Sequence, residues 1–201
     1  SVNRSTGDVS LGKSISMGGN LAFSAGLLDL SGYNITLNQP GGTLSGENEN
    51  SRIFSSTTGE VQTTLDLNAP NQANPGNLGA VVSTAANLGT TLIRRGHQPP
   101  AGVCNTGIKR YYVIQPNNNT ALNATLRFYY FDAELNGIVE NDLTLYRSDD
   151  GGVTWTDAGF DARNAAENWV EKSGIASFSM WTLGATGVWL SEKTWYKDID
   201  G

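Results

Sequence analysis

One cysteine, one histidine and charged side chains at only 16% are the first things this 201-residue chain is short of. It also has no apolar run near the roughly 20 residues that a membrane-crossing helix needs. Each scarcity excludes something. Cys104 alone forms no internal disulfide. A catalytic thiol needs a base and an orienting partner, and His97 is the one imidazole on offer. The intervening QPPAGV reads as a loop, so the expectation is a loop cysteine beside a surface histidine. A single histidine also speaks against a His-rich metal centre. With a formal net charge of −6, the surface should repel phosphates, and nucleic acid is not an expected partner. No signal-peptide pattern opens the chain, and Ser1 reads as the start of a mature fragment.

What the chain has in quantity is turn chemistry. It carries 24 glycines with many Asn, Ser and Thr, and its 38% apolar fraction still suffices for a core at this length. Over residues 1–68 the pieces KSISMG, NLAFSAG, LLDLSG, YNITLNQ and GTLSG each hold a few alternating apolar residues and a turn. Ile15 and Met17, Leu21 and Phe23, Leu28 and Leu30, Ile35 and Leu37, and Leu44 would form successive inward ladders. Strands so short bury such ladders best as stacked rungs of a right-handed β-solenoid, with a tight antiparallel meander as the alternative. Residues 69–79, APNQANPGNLG, read as an extended linker or connection.

Residues 80–186 read as an antiparallel β-sandwich. IKRYYVI places Ile108, Arg110, Tyr112 and Ile114 on one face. ALNATLRFYYF, Ala121 to Phe131, alternates Leu122, Ala124, Leu126, Phe128 and Tyr130 against Asn123, Thr125, Arg127, Tyr129 and Phe131. It is expected in the middle of a sheet, between IKRYYVI and the LTLYRSDDGGVTW hairpin. The whole is therefore all-β, a short solenoid-like or meander part packed on or followed by a sandwich. Residues 187–201 read as a linker and the start of a further repeat.

Several polar groups are candidates for chemistry. Glu47 and Glu49, interleaved with Asn48 and Asn50, suit acid–base work or a cation but read as a solvated turn. Arg94, Arg95 and His97 are the one basic cluster, expected as a solvated strand end. Asp132, Glu134, Asn136 and Gly137 resemble the opening of an EF-hand loop, but Leu143 falls where the bidentate Glu is required. Calcium held with Glu140 or Asp142 stays open beside a plain polar connection. Ser148, Asp150, Gly152, Thr154 and Trp155 in SDDGGVTW match the Asp-box pattern. Its Asp should accept bonds from the turn backbone while Trp155 packs beneath. Asp-boxes are familiar from sialidase propellers, away from the active site, and the single copy here reads as a structural turn.

GYNITLN, NPGNLG, RRGH, IKRYYVIQP, LNATLRFYYFDAELNG, DLTLYRSDDGGVTW and GIASFSMWTLG together resemble a β-rich module of large secreted proteins of Bacteroidetes-type bacteria. Those proteins are exported by the type IX secretion system. The resemblance implies a non-catalytic, adhesin-like part of an extracellular or outer-membrane-associated cell-surface protein. TWYKDIDG is similar to the start of thrombospondin type 3-like calcium repeats, with Asp198 and Asp200 at the first acidic positions. Two carboxylates alone give too few oxygens for a tight site. Calcium is thus the one cofactor suggested, and the partners expected are adjacent domains of the parent, glycans or the secretion machinery. A carbohydrate-binding module attached to a secreted hydrolase is the main alternative, with Trp169, Trp189 and Trp195 as stacking candidates. Recognition as an export cargo segment is another. The carboxylates are too scattered to nominate a glycosidase pair, and no enzyme activity is expected.

Overall fold

A computed structural model describes residues 1–100 and 107–186. The chain is all-β, with no helix of seven or more residues among the described residues. Its first part is a stack of three parallel rungs. The first holds β1 (Val2–Asn3), β2 (Val9–Ser10) and β3 (Ile15–Met17). The second holds β4 (Asn20–Ala25), β5 (Leu28–Asp29) and β6 (Ile35–Asn38), and the third β7 (Thr43–Ser45), β8 (Ile53–Phe54) and β9 (Glu60–Asn68). Pairing is parallel on all three sides, β1-β4-β7, β2-β5-β8 and β3-β6-β9, which fits a solenoid and not an antiparallel meander.

Parallel register puts like on like. Ile15, Ile35 and Val61 stack, as do Leu28 and Ile53, and Leu21 and Leu44. The alternate positions Ser16, Thr36 and Gln62 form an outward polar ladder, in which Gln62 Nε2 donates to Thr36 Oγ1 at 3.0 Å. Burying each Leu or Ile contributes about 1.5–3 kcal/mol. No rung encloses enough apolar surface to stand alone, so stacking is what makes the part stable.

The sandwich follows as β10 (Ala80–Ser83), β11 (Asn87–Gly96), β12 (Gly107–Pro116), β13 (Ala124–Tyr129), β14 (Leu143–Ser148), β15 (Thr156–Gly159), β16 (Ala162–Asn164), β17 (Trp169–Ile175) and β18 (Met180–Ala185). One sheet runs β15-β14-β18-β12-β11-β9-β6-β3 and therefore includes a whole side of the solenoid. The other is β10-β13-β17-β16. Tyr112 and Phe128 meet edge to face across the two sheets, with centroids 4.6 Å apart. A single apolar cluster runs from Val2 to Leu183 through both parts.

Two expectations need correction. The strand at Ala121–Phe131 does alternate as expected, with Leu122, Ala124, Leu126, Phe128 and Tyr130 buried. It lies in the opposite sheet, however, between β10 and β17, not between IKRYYVI and the Asp-box hairpin. Two inward faces of similar composition make the choice of sheet invisible in alternation alone. Residues 69–79 are not an extended linker. Pro75–Asn77 form a 3₁₀ turn, Leu78 is fully buried, and Gly76 approaches Leu37 and Thr63 at the end of the solenoid. Asn77 Nδ2 donates to Leu44 O at 3.0 Å, tying the turn to the third rung.

Gly46 opens the loop that carries Glu47 towards the sandwich. Its φ is +75°, and an added Cβ would lie 2.2 Å from Phe23 O. Gly46→Ala is expected to lower unfolding free energy by more than about 2 kcal/mol, as read by urea denaturation, because strain and backbone overlap add. An unchanged midpoint would show that the solenoid backbone can move aside there.

Candidate functional site

The polar residues converge where the solenoid meets the sandwich. Arg95 on β11 and Arg110 on β12 both point into the interior, at 1% and 2% exposure. Buried guanidinium groups require carboxylates, and each finds one. Glu47, in the loop after β7, binds Arg95 bidentately, with Nη1 donating to Oε2 at 2.9 Å and Nη2 to Oε1 at 2.8 Å. Glu134, in a 3₁₀ turn after β13, accepts from Arg110 Nη2 at 2.8 Å and from the Phe131 amide at 3.0 Å. Arg110 Nη1 also donates to Tyr129 O, and the Tyr112 hydroxyl donates to Leu78 O at 2.7 Å. The Arg110 guanidinium lies 4.9 Å from the Phe131 ring centroid.

His97 completes the cluster at 3% exposure. Its Nε2 accepts from Arg95 Nε at 3.4 Å, which leaves the ring proton on Nδ1, 4.0 Å from Glu134 Oε1. Burial, then the positive charges of Arg95, Arg110 and Arg52, hold its pKa well below the ordinary value. Burial pushes Glu134 up against the pull of Arg110. Glu47 ends below the usual carboxylate range because Arg95 and Arg110, with the bonds it accepts, outweigh its burial.

Glu49 makes a second tie across the junction. It accepts from the Asp132 and Ala133 amides at 2.8 and 3.1 Å and from Asn168 Nδ2 at 3.3 Å. The segment is a turn with Asn48 and Asn50 exposed, but the Glu47 and Glu49 carboxylates are bonded to the sandwich and not left to solvent, and Arg95 and His97 are not a solvated strand end. Arg94, by contrast, is half-exposed and pairs with Glu60 at 3.1 Å. The signal for the buried network was present in Arg110, a charge on the inward register of β12 between Ile108 and Tyr112. Nothing in the chain marked Glu134 or Glu47 as its neighbours, since they come from distant loops.

Above this floor opens a cleft of about 680 Å³, lined among others by Glu49, Gln72, Asn77, Arg127, Tyr129, Phe131 and Asn168. Trp169 sits opposite Tyr129 in the β13–β17 register and lies outside the lining. The Arg127 guanidinium covers it at 4.3 Å, and its Nε1 donates to Glu167. Trp155 and Trp181 are buried. Trp189, Trp195, Asp198 and Asp200 lie outside the described residues, as does Cys104 of the considered Cys–His pair.

The Asp-box is assembled as its pattern requires. Asp150 accepts from the Val153 and Thr154 amides and from Thr154 Oγ1 at 2.6 Å, and Ser148 Oγ accepts from Gly152 N at 2.7 Å. The Thr154 bonds, with that of Ser148, hold the Asp150 carboxyl at about 2. Trp155 packs with Tyr146 and Met180 beneath, on the far side of the large sheet from β3. Among the described residues no group of three or more His, Cys, Asp or Glu side chains could hold a metal ion. Glu134 of the EF-hand-like stretch is turned inward to Arg110, and Glu140 accepts from the Tyr130 hydroxyl at 2.9 Å.

Removing Glu47 would leave Arg95 buried with no carboxylate. Glu47→Ala is expected to cost about 3–5 kcal/mol of stability in chemical denaturation. A loss below about 1 kcal/mol would mean that water takes over the pairing. His97 gives a pH signature of defined sign. It stays neutral when folded and gains a proton when unfolded, so stability falls as pH drops below about 6.5, by up to about 1.4 kcal/mol per pH unit. His97→Gln should flatten the slope between about pH 6.5 and 5, and an unaltered slope would place the acid sensitivity elsewhere.

No family model matches this chain, and no curated protein or solved structure is significantly similar to it.

Proposed function

We propose that the chain is a non-catalytic structural module of a secreted, multidomain cell-surface protein, one that spaces or displays its neighbouring domains. One observation carries the reading. The sheet that forms a side of the solenoid continues without a break into the sandwich through β9, and a buried ion network spans the same junction. A hinged pair of domains would present a small, wet interface there. A continuous sheet with a shared core transmits load and orientation along the module. The Asp-box hairpin serves the same end, fixing the sheet's far edge with local bonds.

The reading makes the two parts one cooperative unit. Calorimetry on the purified chain should show a single unfolding transition with equal calorimetric and van't Hoff enthalpies. Incubation with a panel of plant, algal and bacterial polysaccharides should release no reducing ends. Two separated transitions would defeat the rigid-spacer role, and turnover of any polysaccharide would defeat the non-catalytic one.

A further inference from the structure

We propose that the cleft at the solenoid–sandwich junction binds a neutral oligosaccharide, seated against Tyr129 and Phe131 and engaged by the Gln72 side chain. At about 680 Å³ the cleft is of the size that holds small ligands. An adjoining hollow of about 240 Å³ shares Gln72, Val81 and Arg127 with it, so the depression runs on over β10 and β13. An elongated ligand fits this outline better than a single compact ring.

The chemistry of the walls selects the class. Three cations, Arg95, Arg110 and Arg127, face three carboxylates, Glu47, Glu49 and Glu167. Every one of those arginines already has a carboxylate: Arg95 has Glu47, Arg110 has Glu134 and Arg127 has Glu171. Glu49 and Glu167 are bonded to amide and indole N–H groups and not to a cation, so the walls hold no unpaired positive charge to attract an anionic ligand. Beside small and aliphatic residues such as Gly79, Val81 and Ala166, the remaining lining is side-chain amides and aromatic rings, which suit hydroxyl groups and the apolar faces of sugar rings.

A backbone feature also marks the cleft as a place for a ligand. Gln72, Asn77 and Asn168 all hold positive φ, at 51°, 54° and 55°, and all line this one cleft. Asparagine tolerates that conformation more readily than glutamine, whose backbone amide here donates to Ser83 Oγ at 2.8 Å. The Asn77 amide is spent on Leu44 O. The Gln72 side chain is exposed and among the described residues has no hydrogen-bond partner. A residue at positive φ that holds an exposed amide at the mouth of a cleft presents that amide to whatever enters it.

This inference stands apart from the structural role, since a spacer that binds no sugar is still a spacer. The test is isothermal titration of the whole chain with cellohexaose, xylohexaose, mannohexaose and chitohexaose. Oligogalacturonate and chitosan oligomers serve as charged controls. Saturable binding of at least one neutral hexasaccharide is expected. Gln72→Gly should weaken it about tenfold while raising the Tm, because glycine relieves the strain and removes the amide. The proposal is overturned if no neutral hexasaccharide binds, if only a charged control does, or if Gln72→Gly leaves the affinity unchanged.

Discussion

Strand β9 is the constraint on which the molecule depends. One edge pairs in parallel with β6, from Ile35 opposite Val61 to Asn38 opposite Thr64. The other pairs antiparallel with β11 over its full length, from Glu60 opposite Gly96 to Asn68 opposite Asn87. The strand must therefore satisfy the rung spacing of a solenoid and the twist of a sandwich at once. Its own residues fix the register: Val61 and Thr63 are fully buried, and Thr63 Oγ1 donates to Leu37 O at 2.9 Å. A slip of one residue would turn both to the solvent face. What lies on either side inherits its position from this alignment.

The ion network acts on the same junction by a different kind of force. Apolar packing is tolerant of small displacements, while a bidentate guanidinium–carboxylate pair is not. Arg95 and Arg110 sit on neighbouring strands, where two buried positive charges would repel. Glu47 arrives from the solenoid and Glu134 from the sandwich, so the two parts of the chain each supply a compensating charge. Such a network adds little net stability over an apolar filling, but misplacement of either loop leaves a charge buried and unpaired. It favours one arrangement of the two parts over its near neighbours. Glu49, bonded to the amides of a 3₁₀ turn on the other side, reinforces that choice with groups at the surface.

Local patterns proved sufficient wherever one short stretch contained its own partners. The Asp-box is such a case: Ser148, Asp150, Gly152 and Thr154 bond within seven residues of one another, and the pattern states its geometry. The inward ladders are another, since alternation in a narrow rung leaves one face to bury. Where partners lay far apart, sequence gave the wrong environment. Glu47 with its asparagine neighbours has the composition of a wet loop, and only Arg95, on a distant strand, draws it inside. Residues 69–79 have the composition of a linker, yet Leu78 finds a ready-made apolar end to cover.

Alternation, turn residues and the Asp-box thus determined by themselves that the chain is all-β, that its first third is built of short strands with inward ladders and that a hairpin closes near Trp155. Whether those strands stack in parallel or form a meander was left to the tertiary structure. Period and turn chemistry are properties of a few successive residues, and they survive whatever surrounds them. Which sheet receives the strand at Ala124–Tyr129, which charges are buried and where a cleft opens were decided by tertiary structure alone. Those outcomes depend on pairing across long stretches of chain, and pairing energy resides in the partner as much as in the residue. Gln72 shows the limit most clearly: in sequence it is one polar residue in a proline- and asparagine-rich stretch. In the fold it becomes a residue at positive φ with an exposed side-chain amide at the mouth of a cleft.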